Sequence, residues 1–222
     1  MRLIDFHTHI LPWADHGSSS IDTSLFQLSS ASENGIDKIV ATSHFYPQYE
    51  NVEHFISRRN ECYDRLSAHL TDEHPTVILG AEVLICDNIE KMPGLESLCI
   101  EGTKLLLLEL PFTDFSDSYV HSVKSLTKNG YTIVLAHADR YDPSNIDRLV
   151  SAGAKIQLNV DSLCGLFLPS HIKKWVMKDS VVALGSDIHG SDKKAYKRFL
   201  KAVKRLGDSS DSIMSATEDL LS

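Results

Sequence analysis

The run Leu3-Ile4-Asp5-Phe6 leads straight into His7-Thr8-His9. Side chains alternate along a β-strand, so on a strand His7 and His9 point the same way and can grip one metal ion. A single His-x-His is weak evidence, because a turn or an exposed strand holds one by accident. Its weight comes from recurrence. Residues 39–43 lead into His44, 78–81 into Glu82, 105–108 into Glu109 and 133–136 into His137, while 182–186 lead into Asp187 and, two positions on, His189. A buried histidine is often a satisfied core residue and a strand-end acid is often a helix cap. Eight such placements on one face are not coincidence, and imidazole with carboxylate is a donor set for divalent manganese, iron or zinc.

The elements that must position these groups are short apolar runs rich in Val, Ile and Leu, at 3–6, 38–42, 76–81, 104–108, 131–136, 155–159 and 181–185. Such runs predict parallel strands covered on both faces. Helical patterns fall between them, at 21–34, 52–70, 116–128, 145–152, 171–177 and 193–206, several ending at a glycine such as Gly35, Gly153 or Gly207. The alternation predicts an α/β protein with a largely parallel sheet. No Gly-rich phosphate loop follows the first strand, which favours a distorted TIM-like (β/α)7 barrel over an open doubly wound sheet. The metal-type residues then lie at the strands' C-terminal ends, where barrel enzymes build their sites. The sixth strand, ending in Asn159 and Asp161, is assigned only to the rim. A single domain, 1–222, is expected, with the barrel over about 1–207 and a polar, weakly helical tail over 208–222.

With 22 Lys and Arg against 30 Asp and Glu, the net charge is −8. That argues against a nucleic-acid surface, and no basic stripe is evident. The longest apolar run, 105–110, is broken by Glu109, so no segment reads as spanning a bilayer. No secretory signal is evident, and a cytoplasmic location is expected. The cysteines, Cys62, Cys86, Cys99 and Cys164, show no C-x-x-C spacing, and none has an arginine six positions later. They read as reduced structural thiols, not nucleophiles.

Six motifs carry a resemblance across nearly the whole chain: Asp5-Phe6-His7-Thr8-His9-Ile10-Leu11-Pro12, Ala41-Thr42-Ser43-His44, Gly80-Ala81-Glu82, Leu108-Glu109-Leu110-Pro111, His137-Ala138-Asp139-Arg140-Tyr141 and Gly185-Ser186-Asp187-Ile188-His189. The chain resembles the PHP (polymerase and histidinol phosphatase) superfamily. More narrowly it resembles the bacterial manganese-dependent protein-tyrosine phosphatases of capsule and exopolysaccharide operons. That resemblance implies two or three divalent ions, manganese first and iron or zinc as alternatives. It implies nine ligands: His7, His9, His16, His44, Glu82, Glu109, His137, Asp187 and His189. Glu82 would touch two ions, with His7, His9 and Asp187 completing the first, Glu109 and His137 the second, and His16, His44 and His189 the third. Three departures matter. The first loop usually reads Asp-Asp-Gly and here reads Asp15-His16-Gly17, so His16 takes the ligand role and Asp15 is its alternative or its support. Phe45 stands where a His or Arg is common. The His-Pro-Glu-Arg-Tyr motif here reads His137-Ala138-Asp139-Arg140-Tyr141.

The implied chemistry is phosphomonoester hydrolysis with Glu82, His137 and Arg140 as catalytic residues. The substrate is phosphotyrosine on a protein, the tail of a tyrosine autokinase in polysaccharide export. Arg140's planar fork suits two phosphate oxygens, against the alternative of a surface ion pair with Asp139 or Asp142. Asp5 is expected to orient a ligand histidine. Phe45, Tyr46 and Tyr49 either stack a substrate ring or pack their loop. His54, His69, His74, His121 and His171 are expected at the surface. The rival readings are a small-molecule phosphatase acting on a substrate such as histidinol phosphate, and an inactive metal-containing protein that binds a kinase.

Overall fold

The computed structural model describes residues 2–112 and 114–222. Every strand pairing in it is parallel. β1 (Leu3–Thr8), β2 (Ile36–Ala41) and β4 (Thr76–Leu79) pair in that order. β3 (His44–Phe45), β5 (Glu82–Leu84), β6 (Leu105–Glu109), β7 (Thr132–Leu135), β8 (Lys155–Asn159) and β9 (Val181–Gly185) form a second sheet. The helices α1 (Ile21–Glu33), α2 (Val52–Ser67), α3 (Asp117–Lys128), α4 (Pro143–Ser151), α5 (Ser170–Met177), α6 (Ala195–Leu206) and α7 (Asp208–Leu220) connect or follow the strands. Their starts are written locally. Ser20, Asn51, Ser116 and Asp142 each accept a hydrogen bond from a backbone N–H of the first turn, and Pro143 opens α4 where its missing N–H costs nothing.

Two of the expected strands are each broken in two. Residues 38–42 with His44 become β2 and β3, separated by Thr42 and Ser43, and 76–81 with Glu82 become β4 and β5, separated by Gly80 and Ala81. The breaks shift partners: Thr42 N–H donates to Thr8 O at 2.9 Å, Gly80 N–H to Ala41 O at 2.9 Å and Glu82 N–H to Ser43 O at 3.0 Å. These bonds stitch the two sheets together. On the far side Asp187 N–H donates to His7 O at 2.8 Å and His9 N–H to Ile188 O at 3.2 Å, so the segment after β9 meets β1. His44 and Glu82 therefore open the second halves of bent strands, where sequence reading put them at strand ends.

Leu105, Leu107 and Glu109 share one face of β6, and the two leucines pack with Phe6, Val40, Val134 and Val182 in a small inner cluster. The row that fills the interior thus ends in a carboxylate. The alternate residues, Leu106 and Leu108, join the larger core under the helices. The tail is a thirteen-residue helix, α7, that buries Ile213, Met214 and Thr217, with Thr217 Oγ1 donating to Val182 O of β9 at 2.6 Å. Among the described residues no helix is long and apolar enough to cross a membrane.

Candidate metal centre

Glu82 is fully buried at the centre of the mouth. Around its carboxylate stand His7 Nε2 at 3.2 Å, His9 Nε2 at 3.3 Å, His44 Nδ1 at 2.9 Å and His137 Nε2 at 2.7 Å. Glu109 lies 3.7 Å from both His44 and His137, and Asp187 3.2 Å from His9 and 3.8 Å from His7. The His189 ring stacks on His9 at 4.2 Å between centroids, and the His16 ring lies 4.8 Å from His44 and 4.7 Å from His189. All nine residues singled out in the sequence come together here. His54, His69 and His121 are exposed and His74 and His171 half-buried.

Backbone geometry aims several of these groups. His137 and Asp187 hold φ of 32° and 51°, a left-handed conformation that non-glycine residues adopt at a cost and that clusters at functional sites. Gly17 and Gly185 are required by close approach: a Cβ on Gly17 would lie 2.2 Å from His9 Cβ, and one on Gly185 2.5 Å from His7 Cβ.

The atoms converge, and although His137 Nε2 and Glu82 Oε1 pair at 2.7 Å, several others are left without a partner. His7 Nε2 and His9 Nε2 are 3.1 Å apart. His44 Nδ1, Glu82 Oε2, Glu109 Oε2, His137 Nδ1 and His189 Nε2 are buried with no hydrogen-bond partner among the described residues, although His44 Nδ1 and Glu82 Oε2 are close. Orphaned buried polar atoms are costly unless something else satisfies them, and those of His44, Glu82, Glu109 and His189 are of the kinds that hold a metal ion. Three triads, His7–His9–Glu82, His9–His44–His189 and His44–Glu82–Glu109, each bring their donor atoms within 4.8 Å of one another. The electrostatics agree. Burial would raise Glu82, but the surrounding histidines hold its carboxyl well below the usual range. Burial, then the Glu82 charge, pushes Glu109 up to about 7. Burial would lower His9, yet Asp15, Asp187 and Glu82 raise it well above an ordinary histidine. Burial beside His9 lowers His189 to about 4. Three packed carboxylates favour positive charge between them. The residues present fit divalent metal ions.

Several positioning groups were not legible in the sequence. The Gln157 Oε1 accepts from His7 Nδ1 at 3.0 Å and from His137 N–H at 2.7 Å. It thereby fixes the His7 tautomer that leaves Nε2 facing the centre. Gln157 Nε2 donates to Asn159 Oδ1 at 3.1 Å, and Asn159 Nδ2 to Asp187 Oδ2 at 3.2 Å. Asn159 is 4% exposed, so it belongs to the centre and not the rim, whereas Asp161 is exposed and paired with Arg198. The only sequence signal was that Gln157 and Asn159 share a strand face.

Asp15 Oδ2 accepts from His9 Nδ1 at 2.9 Å and from His44 N–H at 3.1 Å, and Oδ1 accepts from Gly17 N–H at 2.8 Å. Its carboxylate is used within the protein, while the neighbouring His16 ring faces the histidine stack. Asp5 touches no ligand ring. Its Oδ1 accepts from Ser186 N–H at 2.8 Å, so it holds the backbone just before Asp187. Phe45 is 1% exposed and packs edge-on against Phe55, so it is core and cannot meet a substrate. Tyr46 stacks on His44 at 5.0 Å, and Tyr49 is exposed. Arg140 pairs with Asp187 at 2.5 Å, not with Asp139 or Asp142, and is 42% exposed at the rim. Beside it Phe112, Phe115, Tyr119 and Tyr141 line a cleft of about 210 Å³.

Fold and centre together define a parallel α/β protein with a polyhistidine–carboxylate metal-binding mouth. The chain belongs to the capsular polysaccharide synthesis family CpsB/CapC, whose profile matches residues 3–212. It is 31% identical over 199 residues to the tyrosine-protein phosphatase YwqE of Bacillus subtilis, covering 84% of this chain and 77% of that one. It also matches, at TM-score 0.80 and 25% identity over 99% of this chain and 94% of the other, a chain from the crystal structures of YwqE from B. subtilis and CpsB from Streptococcus pneumoniae, described as metal-dependent tyrosine phosphatases. A TatD-family hydrolase from Entamoeba histolytica shares the fold, at TM-score 0.60 and 10% identity over 99% of this chain and 98% of the other.

Proposed function

We propose that this chain is a metal-dependent phosphatase acting on phosphotyrosine in proteins. Its substrate is the tyrosine-rich tail of a cytoplasmic tyrosine autokinase that controls polysaccharide export. The observation that carries the reading is the convergence of donors around Glu82 with one arginine at the open rim. His7, His9, His16, His44, Glu82, Glu109, His137, Asp187 and His189 would hold two or three ions, Glu82 being shared. Manganese suits this oxygen and imidazole set, which contains no thiolate. When bound, such ions supply Lewis acidity toward phosphate oxygens and lower the pKa of water.

The protein's own groups supply the rest. Asp187 holds the Arg140 guanidinium at the rim, where its partly exposed planar fork suits two phosphate oxygens. Phe112 and Tyr141, 5.7 Å apart beside Arg140, form an aromatic wall for the phenyl ring of the substrate. Gln157 and Asp15 keep His7 and His9 in the tautomers that face the centre. No thiol nucleophile is needed. A phenolate leaves readily, so protonating the leaving group is a small demand. The open rim favours a side chain on a protein over a fully enclosed metabolite.

The test is the steady-state rate on a phosphotyrosine peptide, a phosphoserine peptide and histidinol phosphate. Metal-stripped protein would be restored with manganese, iron or zinc, with His137→Ala and Arg140→Ala as controls. A metal-dependent preference for phosphotyrosine is expected, abolished in His137→Ala and reduced about 10²–10³-fold in Arg140→Ala. Preference for histidinol phosphate would overturn the substrate. Metal binding without hydrolysis of any of the three would overturn the enzyme.

A further inference from the structure

The net charge of −8 conceals a segregation that the one-dimensional reading missed. Residues 164–207 hold ten of the 22 Lys and Arg but three of the 30 Asp and Glu, a net of +7, leaving −15 on the remainder. Tertiary structure concentrates this charge further. α6 buries Ala195, Tyr196, Phe199 and Ala202, so its basic residues all turn outward. Lys193, Lys194, Lys197, Lys201, Lys204 and Arg205 are exposed. Their three- and four-residue spacings gather them on one side of the helix. None has a carboxylate within ion-pair distance among the described residues, whereas Arg198 between them is taken by Asp161 and Asp192.

Against this face lies the loop that follows β8. Its tip, Leu166-Phe167, is 85% and 82% exposed. The helix holds the loop in place: Lys201 Nζ donates to Cys164 O at 2.9 Å, and Arg205 donates to Gly165 O and, at 3.1 Å, to Leu166 O. Isolated exposed apolar residues need no explanation. Two consecutive ones clamped beside six cations form the combination that a peripheral membrane protein presents to a lipid headgroup layer.

We propose that the α6 face and the Leu166–Phe167 tip dock the protein on an anionic phospholipid bilayer, with the lysines against headgroups and the two apolar side chains at the acyl boundary. An acidic polypeptide or a nucleic acid would answer the lysines but leave Leu166 and Phe167 without a role, and for that reason the bilayer is the occupant assigned. Nothing in this inference requires a membrane-spanning helix, and it is independent of the reaction at the mouth.

The experiment is flotation with vesicles of phosphatidylcholine alone and of phosphatidylcholine with phosphatidylglycerol, at low and high salt. Poly-glutamate and a DNA duplex serve as competing probes. The variants are Lys197→Gln/Lys201→Gln/Lys204→Gln and Leu166→Ser/Phe167→Ser, with retention of fold checked by thermal melting. Binding to the anionic vesicles only is expected, weakened by salt, by about fivefold for each lysine removed, and by at least tenfold in the Leu166/Phe167 variant. Absence of binding to anionic vesicles at low salt would overturn the proposal. So would tighter binding to poly-glutamate or DNA, or vesicle binding insensitive to Leu166→Ser/Phe167→Ser.

Discussion

Substituting alanine at Gly17 tests whether backbone crowding, more than ligand identity, sets the aim of the metal ligands. The added methyl would sit 2.2 Å from His9 Cβ, 2.5 Å from His9 O and 2.9 Å from Asp15 Oδ1. Carbon atoms settle at about 3.5–4.0 Å, so His9 and the 15–17 loop must separate by more than about 1 Å. The loop cannot yield alone: Gly17 N–H is held by Asp15, whose other oxygen holds His9 Nδ1, and Gly17 O accepts from Gly190 N–H at 2.8 Å beside His189. Metal–ligand distances tolerate only about 0.2 Å. Gly17→Ala should therefore cost about 1–3 kcal/mol of stability by overpacking and lower metal affinity by at least about 100-fold. Gly35→Ala is the comparison, because Gly35 has a φ of 76° but open space around it. It should lower Tm by a similar few degrees through backbone strain and keep its metal. The assays are metal content after gel filtration, chelator competition, thermal melting, and kcat/KM on a phosphotyrosine peptide. A Gly17→Ala protein with full metal content and unchanged kcat/KM would refute the reasoning.

Gln157→Leu leaves the His7 Nδ1–H and His137 N–H without their shared acceptor. It should cost about 1–3 kcal/mol per orphaned group and weaken metal binding about 10–100-fold; chelator competition showing wild-type affinity would count against that role. Burial raises Asp5 to about 6 from 3.8. The folded chain therefore keeps a proton that the unfolded chain has released between those values, and stability of metal-stripped protein falls as pH rises through that window. Asp5→Asn removes the contribution, which amounts to about 3 kcal/mol above pH 6. Urea unfolding of both proteins in chelator from pH 4 to 7 should show the wild type losing stability relative to the variant, and parallel curves would contradict it. Burial pushes up Cys62, Cys86 and Cys164, and Cys99 to about 11. Alkylation at neutral pH should leave hydrolysis intact, so inactivation in step with labelling of any one thiol would restore a cysteine mechanism.

Recurrent apolar runs ending in His, Glu or Asp determined the parallel α/β scaffold and eight of the nine converging residues, the ninth, His16 in the loop after β1, being implied by the family resemblance. Each such run is local, and strand periodicity alone decides which way His7, His9 or Glu109 must point. The helix starts were equally local, because Ser20, Asn51 and Ser116 act on backbone within three residues. Tertiary structure decided what depends on distant partners. Gln157 meets His7 across 150 positions, and Asn159 meets Asp187 only because β8 lies beside β9. Arg140 chose Asp187 over the nearer acids in sequence because the turn at His137 carries it across the mouth. Phe45 went to the core because β3 is a separate bent segment that turns that position inward toward Phe55. The basic face followed the same logic. A net charge is a sum over the chain, and only packing Ala195, Tyr196 and Phe199 inward forces the lysines of α6 onto one outer surface.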